Sequence, residues 1–157
     1  MMSNKFLLLD RDGTLIEEVP YLSDPNLVKL EKHVGESLSL IAKQNIPIIV
    51  ITNQSGIGRG YFSWEKLACV NHKIEELLKP FDVRISAWYV CPYHPTEGLG
   101  RFKKDCSTRK PKPGLILEAC QDFDTKPEEC TFVGDRLSDI HAGKAAGCKS
   151  ILVQSGL

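Results

Sequence analysis

Short runs of contiguous apolar residues alternate along this chain with stretches whose apolar residues recur every three or four positions. Phe6-Leu7-Leu8-Leu9 is the first such run and predicts a buried strand over residues 5–10. The β-branched run Ile46-Pro47-Ile48-Ile49-Val50-Ile51-Thr52 predicts a central strand, with Pro47 tolerable only near its start. Further strands are predicted over 85–91, 131–134 and 150–153. Between them, Val34, Leu38 and Ile41 stand at helical spacing and predict a helix over 34–44. Ser63 is a candidate N-cap for a helix running to Leu78 and closed by Pro80. Pro113 suits the first turn of a helix reaching Gln121, and a last helix over 138–146 closes near Gly147. Elements alternating in this way specify an α/β fold, three-layered and Rossmann-like, around a doubly wound, mainly parallel sheet.

Three stretches break the pattern. Residues 11–32, with Pro20 and Pro25, and residues 92–112 are long for simple connections, and such loops are often functional. Gln54-Ser55-Gly56-Ile57-Gly58-Arg59-Gly60 reads as a glycine-rich loop. No internal repeat, low-complexity segment or linker divides the chain, so residues 1–157 are expected to form one domain.

Composition narrows the classes of function. Twenty basic and 20 acidic residues balance to a formal charge of +0, which argues against a protein that binds mainly by neutralising a nucleic-acid backbone. A local basic cluster remains at Arg101, Lys103, Lys104, Arg109, Lys110 and Lys112. The first apolar run stops at Asp10 without a small-residue cleavage site, and no apolar stretch is long enough to span a bilayer. The 6 cysteines are scattered, which suits a reducing compartment, and the expected location is the cytoplasm.

Polar residues gather where the predicted strands end. Asp10 and Asp12 follow the first strand, and in extended chain residues two apart project to the same side. Two neighbouring carboxylates repel, so they need a cation, a shared proton, or both; alone, they equally describe a solvated Asp-Gly turn. The second strand ends at Thr52-Asn53, a later helix is preceded by Arg109-Lys110-Pro111-Lys112-Pro113-Gly114, and another strand ends at Gly134-Asp135, with Asp139 one helical turn beyond. In a parallel sheet these ends share one edge, where α/β folds bind ligands.

Phosphoryl transfer uses such a set. A carboxylate that attacks a phosphate dianion needs a divalent cation between the charges, and Asp10 and Asp135 offer the hard oxygens that Mg²⁺ takes. Asp10 can then form an aspartyl-phosphate, while Asp12 donates a proton to the leaving oxygen and later activates water. The Thr52 hydroxyl and following backbone N–H groups can hold phosphate oxygens, and Lys110 or Lys112 can neutralise phosphoryl charge.

These four segments, Asp10-Arg11-Asp12-Gly13-Thr14, Thr52 to Gly60, Arg109 to Gly114 and Gly134-Asp135-Arg136-Leu137-Ser138-Asp139, make the chain resemble the haloacid dehalogenase (HAD) superfamily phosphatases. Thr-Asn-Gln-Ser-Gly-Ile and Arg-Lys-Pro narrow the resemblance to small capless members that include heptose-bisphosphate and histidinol-phosphate phosphatases. The resemblance implies a capless domain with Asp10 as nucleophile, Asp12 as general acid/base and Lys110 as catalytic lysine. It makes Thr52 and Asn53 phosphate or substrate contacts and Arg109 a substrate contact, with Gln54 and Ser55 in the substrate loop. Asp10, Asp135 and the Asp12 backbone carbonyl become Mg²⁺ ligands, with Asp139 behind them. Arg59 is either a solvated charge or a contact to a second substrate phosphate.

The heptose-type members also carry a zinc loop of pattern Cys-x-His, then Cys-x-Cys before Arg-Lys-Pro. Here the segments are Cys91-Pro92-Tyr93 and Cys106-Ser107-Thr108. His94 gives at most Cys91, His94 and Cys106, with Asp105 as a conceivable fourth ligand, whereas structural zinc normally takes four. The expectation is a vestigial loop held by packing and hydrogen bonds rather than by Zn²⁺. The resemblance thus implies a Mg²⁺-dependent phosphomonoesterase for a small sugar phosphate, foremost a heptose bisphosphate, working as a monomer. Histidinol phosphate, a 3′-phosphorylated polynucleotide, or a catalytically silent phospholigand-binding module are the alternatives.

Overall fold

The computed structural model of the protein describes residues 5–155. Five strands, β1 (Phe6–Leu9), β2 (Ile48–Asn53), β3 (Ile85–Cys91), β4 (Cys130–Gly134) and β5 (Lys149–Leu152), form one sheet in the order β3-β2-β1-β4-β5. Every pairing is parallel. Parallel neighbours require crossovers, and these are made by the helices α1 (Val34–Ala42), α3 (Trp64–Leu78), α4 (Gly114–Asp122) and α5 (Leu137–Ala146), with a single turn, α2 (Ser55–Gly58), after β2.

The strands read as unbroken apolar runs because helices cover both faces of the sheet. Phe6, Leu8, Ile49, Ile51 and Phe132 pack with Leu115, Ile116 and Ala119 of α4 and Ala142 of α5. Leu9, Ile48 and Val50 point the other way, onto Leu38 of α1 and Val70, Ile74 and Leu78 of α3. The expected three layers are therefore present, with element ends shifted by at most two residues. Pro47 lies just outside β2, where its carbonyl accepts from Leu7 N–H at 3.0 Å. The Ser63 hydroxyl accepts from Lys66 N–H at 3.2 Å and starts α3.

The glycine-rich segment differs from its expectation as an open loop. Ser55–Gly58 winds into a helical turn, and its glycines serve close approach rather than reversal of the chain. A Cβ on Gly56 would lie 2.2 Å from the Phe62 ring, and one on Gly58 would lie 2.3 Å from the Pro92 carbonyl oxygen. The two long irregular stretches are tied down. In the first, Leu15, Ile16, Leu22 and Val28 are buried, and Glu17 N–H bonds Lys29 O at 2.8 Å. In the second, a 3-10 turn at Gly100–Phe102 is held by His94 N–H donating to Phe102 O at 3.1 Å. Among the described residues, no helix is long and apolar enough to cross a membrane.

Core packing makes a direct prediction. Ile74 is 0% exposed whereas Leu40 on α1 is 63% exposed. Ile74→Ala is expected to lower unfolding free energy by about 2–5 kcal/mol, and Leu40→Ala to change it by less than about 0.5 kcal/mol, in urea denaturation.

Candidate active site

β1, β2 and β4 end on the same edge of the sheet, and Asp10, Asn53 and Asp135 leave it there. A cavity of about 450 Å³ opens over this edge, lined by Asp10, Asp12, Asn53, Gln54, Ser55, Arg59, Arg109, Lys110 and Asp139 among others. Residues from every predicted segment meet in it.

Lys110 is the centre. Its side chain is 3% exposed, and Nζ donates to Asp10 Oδ1 at 2.7 Å, Asp139 Oδ1 at 2.7 Å and Ile51 O at 2.9 Å. Three donors thus find three acceptors, which a buried ammonium requires. Burial opposes the charge on Lys110, yet Asp10 and Asp139 outweigh it and hold its pKa above the ordinary lysine value. For Asp10 burial is the largest influence and raises its pKa above the carboxylate range; Lys110 opposes this, while Asp139 and Asp12 add to it.

Asp139 reaches Lys110 from the first turn of α5, where its other oxygen, Oδ2, accepts from Arg136 N–H at 3.1 Å. Both its oxygens are engaged, which suits the expected place behind the ligands. Asn53 supports Lys110 from the other side. Its amide makes a reciprocal pair with the Lys110 backbone, Nδ2 donating to Lys110 O at 3.1 Å and Oδ1 accepting from Lys110 N–H at 3.1 Å. Asn53 thus fixes the lysine while also lining the cavity.

Asp12 has a different partner. Arg11 donates from Nε to Asp12 Oδ2 at 3.1 Å and from Nη2 to Oδ1 at 3.0 Å, and Gln54 Nε2 donates to Oδ2 at 2.8 Å. Arg11 is 1% exposed and also donates to Asn71 Oδ1 at 3.1 Å. Arg11 is assigned no role of its own from the sequence; a cation between two aspartates was the available signal. Thr52 is fully buried and lies outside the cavity wall, its hydroxyl accepting from Gln54 Nε2 at 2.8 Å. That hydrogen bond braces the Gln54 amide.

Two arginines face the cavity from the loops. Arg59 Nε donates to Ser55 Oγ at 3.2 Å and its guanidinium lies 5.7 Å from the Tyr21 ring centroid. Arg109 is half-buried, and Nη1 donates to Tyr93 O at 3.2 Å. Burial, with a contribution from Arg59, lowers the pKa of Arg109. Neither arginine has a carboxylate partner among the described residues, whereas Arg136 on the same cavity wall pairs with Glu18.

Asp10, Asp135 and Asp139 can bring one carboxylate oxygen each within 4.8 Å of one another, the one such acidic, cysteine or histidine group of three among the described residues. Gly13 makes room for this, since a Cβ there would lie 2.3 Å from Asp135 Oδ2, and its φ of +80° is one that glycine adopts freely. Two of these carboxylates share the Lys110 ammonium and the third adds its own charge, so the cluster carries excess negative charge. Hard oxygen donors with that excess fit a divalent cation such as Mg²⁺. The Cys91, His94 and Cys106 set does not converge in this way.

A family model described as HAD-hydrolase-like matches residues 107–157. The D-glycero-beta-D-manno-heptose-1,7-bisphosphate 7-phosphatase of Haemophilus influenzae is 37% identical over 154 residues, 98% of this chain and 83% of that protein. The D-glycero-alpha-D-manno-heptose-1,7-bisphosphate 7-phosphatase of Burkholderia mallei is 36% identical over 152 residues, 97% of this chain and 80% of that protein. The crystal structure of D,D-heptose 1,7-bisphosphate phosphatase from B. bronchiseptica, complexed with magnesium and phosphate, aligns with a TM-score of 0.87 at 27% identity, covering 97% of this chain and 82% of that one. This chain belongs to the HAD-like hydrolases, in the family of the heptose-1,7-bisphosphate 7-phosphatases.

Proposed function

We propose that this chain is a Mg²⁺-dependent phosphomonoesterase that removes the 7-phosphate of a D-glycero-D-manno-heptose 1,7-bisphosphate through an aspartyl-phosphate on Asp10. The observation that carries this reading is the Lys110 ammonium 2.7 Å from Asp10, in a cavity that also holds Arg59 and Arg109 without carboxylate partners. One phosphate is placed at Asp10, and the arginine pair supports a second anion on the same substrate. A bisphosphate uses both places.

Lys110 occupies Asp10 Oδ1 and leaves Oδ2 to attack phosphorus. The Asp10–phosphorus bond forms as the phosphorus–sugar oxygen bond breaks, and Asp12 gives its proton to the leaving oxygen. Asp12 then takes a proton from the water that attacks the aspartyl-phosphate, which frees inorganic phosphate and restores Asp10. Arg11 and Gln54 orient Asp12 for both transfers. When bound by Asp10, Asp135 and the Asp12 carbonyl, the cation offsets repulsion between carboxylate and phosphate. The cavity is built at a single sheet edge, which supports one catalytic domain. Scattered free cysteines support a cytoplasmic setting.

With Mg²⁺ present, phosphate release is expected to be fastest from the α or β heptose 1,7-bisphosphate, compared with histidinol phosphate and a 3′-phosphorylated oligonucleotide. Comparable slow rates on all of them would refute the substrate assignment. Asp10→Asn is expected to lower kcat by at least about 10³-fold with the circular dichroism spectrum retained, and full activity in that variant would refute the nucleophile. Arg59→Ala is expected to raise KM for the bisphosphate by about 10-fold or more while leaving turnover of a small monophosphate unchanged; an equal effect on both substrates would remove Arg59 from the second anion site.

A further inference from the structure

The loop of residues 92–112 lacks two of the four zinc ligands that the family resemblance implies, and other side chains stand in their places. Thr108 puts its hydroxyl between two buried thiols: Oγ1 lies 3.0 Å from Cys106 Sγ and donates to Cys91 Sγ at 3.3 Å. One hydroxyl thus links the two sulfurs in a single hydrogen-bonded chain. Tyr93 packs its ring against Phe102, with centroids 5.9 Å apart, and Lys104 Nζ lies 5.5 Å from the Tyr93 centroid.

These residues do not fit a zinc ion. His94 turns Nδ1 to its own loop, accepting from Glu97 N–H at 2.9 Å and Thr96 N–H at 3.2 Å. Asp105 is exposed and pairs with Lys112 at 2.8 Å. Among the described residues the two thiols are left with no third and fourth ligand, where structural zinc takes four.

We propose that Thr108 does the work of the missing metal: a threonine-bridged thiol pair closes the loop without zinc and positions Arg109 and Lys110. Cys91 ends β3, and Cys106 and Thr108 immediately precede the two cations. The bridge therefore ties the loop's exit to the sheet edge at its entrance. Arg109 repeats the tie through Tyr93 O at 3.2 Å, and Gly114 N–H adds a bond to Ser107 O at 2.9 Å. Thr108 is thus a positioning residue that touches no substrate.

Metal content and amide exchange test this with the whole chain. Wild-type protein incubated with excess zinc chloride and desalted is expected to retain far less than one zinc per chain; stoichiometric zinc would overturn the proposal. Tyr93→His combined with Thr108→Cys, which restores the implied ligand pattern, is expected to acquire one zinc per chain. Failure to do so would show that the loop does not have the closed shape of a metal site. Thr108→Val is expected to speed amide exchange across residues 92–109 by about 10-fold or more, while Thr108→Ser keeps the wild-type pattern. Unchanged exchange in Thr108→Val would sink the bridge. Should that variant fail to fold, the serine variant and the metal content of the double variant decide the matter alone.

Discussion

A buried ammonium with three acceptors is the constraint on which this site depends. Lys110 comes from a loop, Asp10 from the end of β1, Asp139 from α5 and the accepting carbonyl from Ile51 in β2. No two of these groups are close in sequence, so the ion cluster exists only once sheet and helices are assembled. Removing one partner from a buried ion pair typically costs about 3–5 kcal/mol, because the charge left behind is neither solvated nor paired. Other features follow from this need. Asn53 grips the Lys110 backbone, and Arg136 N–H occupies the second oxygen of Asp139. Both keep the lysine where its charge is balanced.

The cluster also gives two neighbouring aspartates unequal surroundings. Asp10 shares an ammonium in a buried, negatively charged group. Asp12 shares the Arg11 guanidinium and the Gln54 amide at the cavity wall. The proposed division of labour, Asp10 bonding to phosphorus and a cation and Asp12 exchanging protons, rests on these unlike surroundings. The difference arises from partners supplied by different elements, since the two side chains are chemically identical.

Much of the fold was legible. Apolar runs with both faces buried, helix spacing, the Ser63 cap and the Gly147 terminator each act within a few residues, and they placed every strand and the four longer helices to within two residues. The helical turn at Ser55–Gly58 was not legible. Its glycines are required by Phe62, Pro92 and Phe102, and only the folded chain brings the last two there.

The sequence by itself determined the alternation of elements and the four acidic, basic and hydroxyl-bearing segments at strand ends, because local sterics and apolar periodicity decide both. That placed Asp10, Asp12, Thr52, Lys110 and Asp135 at one edge. Tertiary structure alone decided how each polar group is used. Arg11 became the partner of Asp12, Asn53 a brace for Lys110, Thr52 a support for Gln54, and Thr108 a bridge between thiols. Hydrogen bonds extend only about 3 Å and are directional, so their pairing is set by where distant segments come to rest.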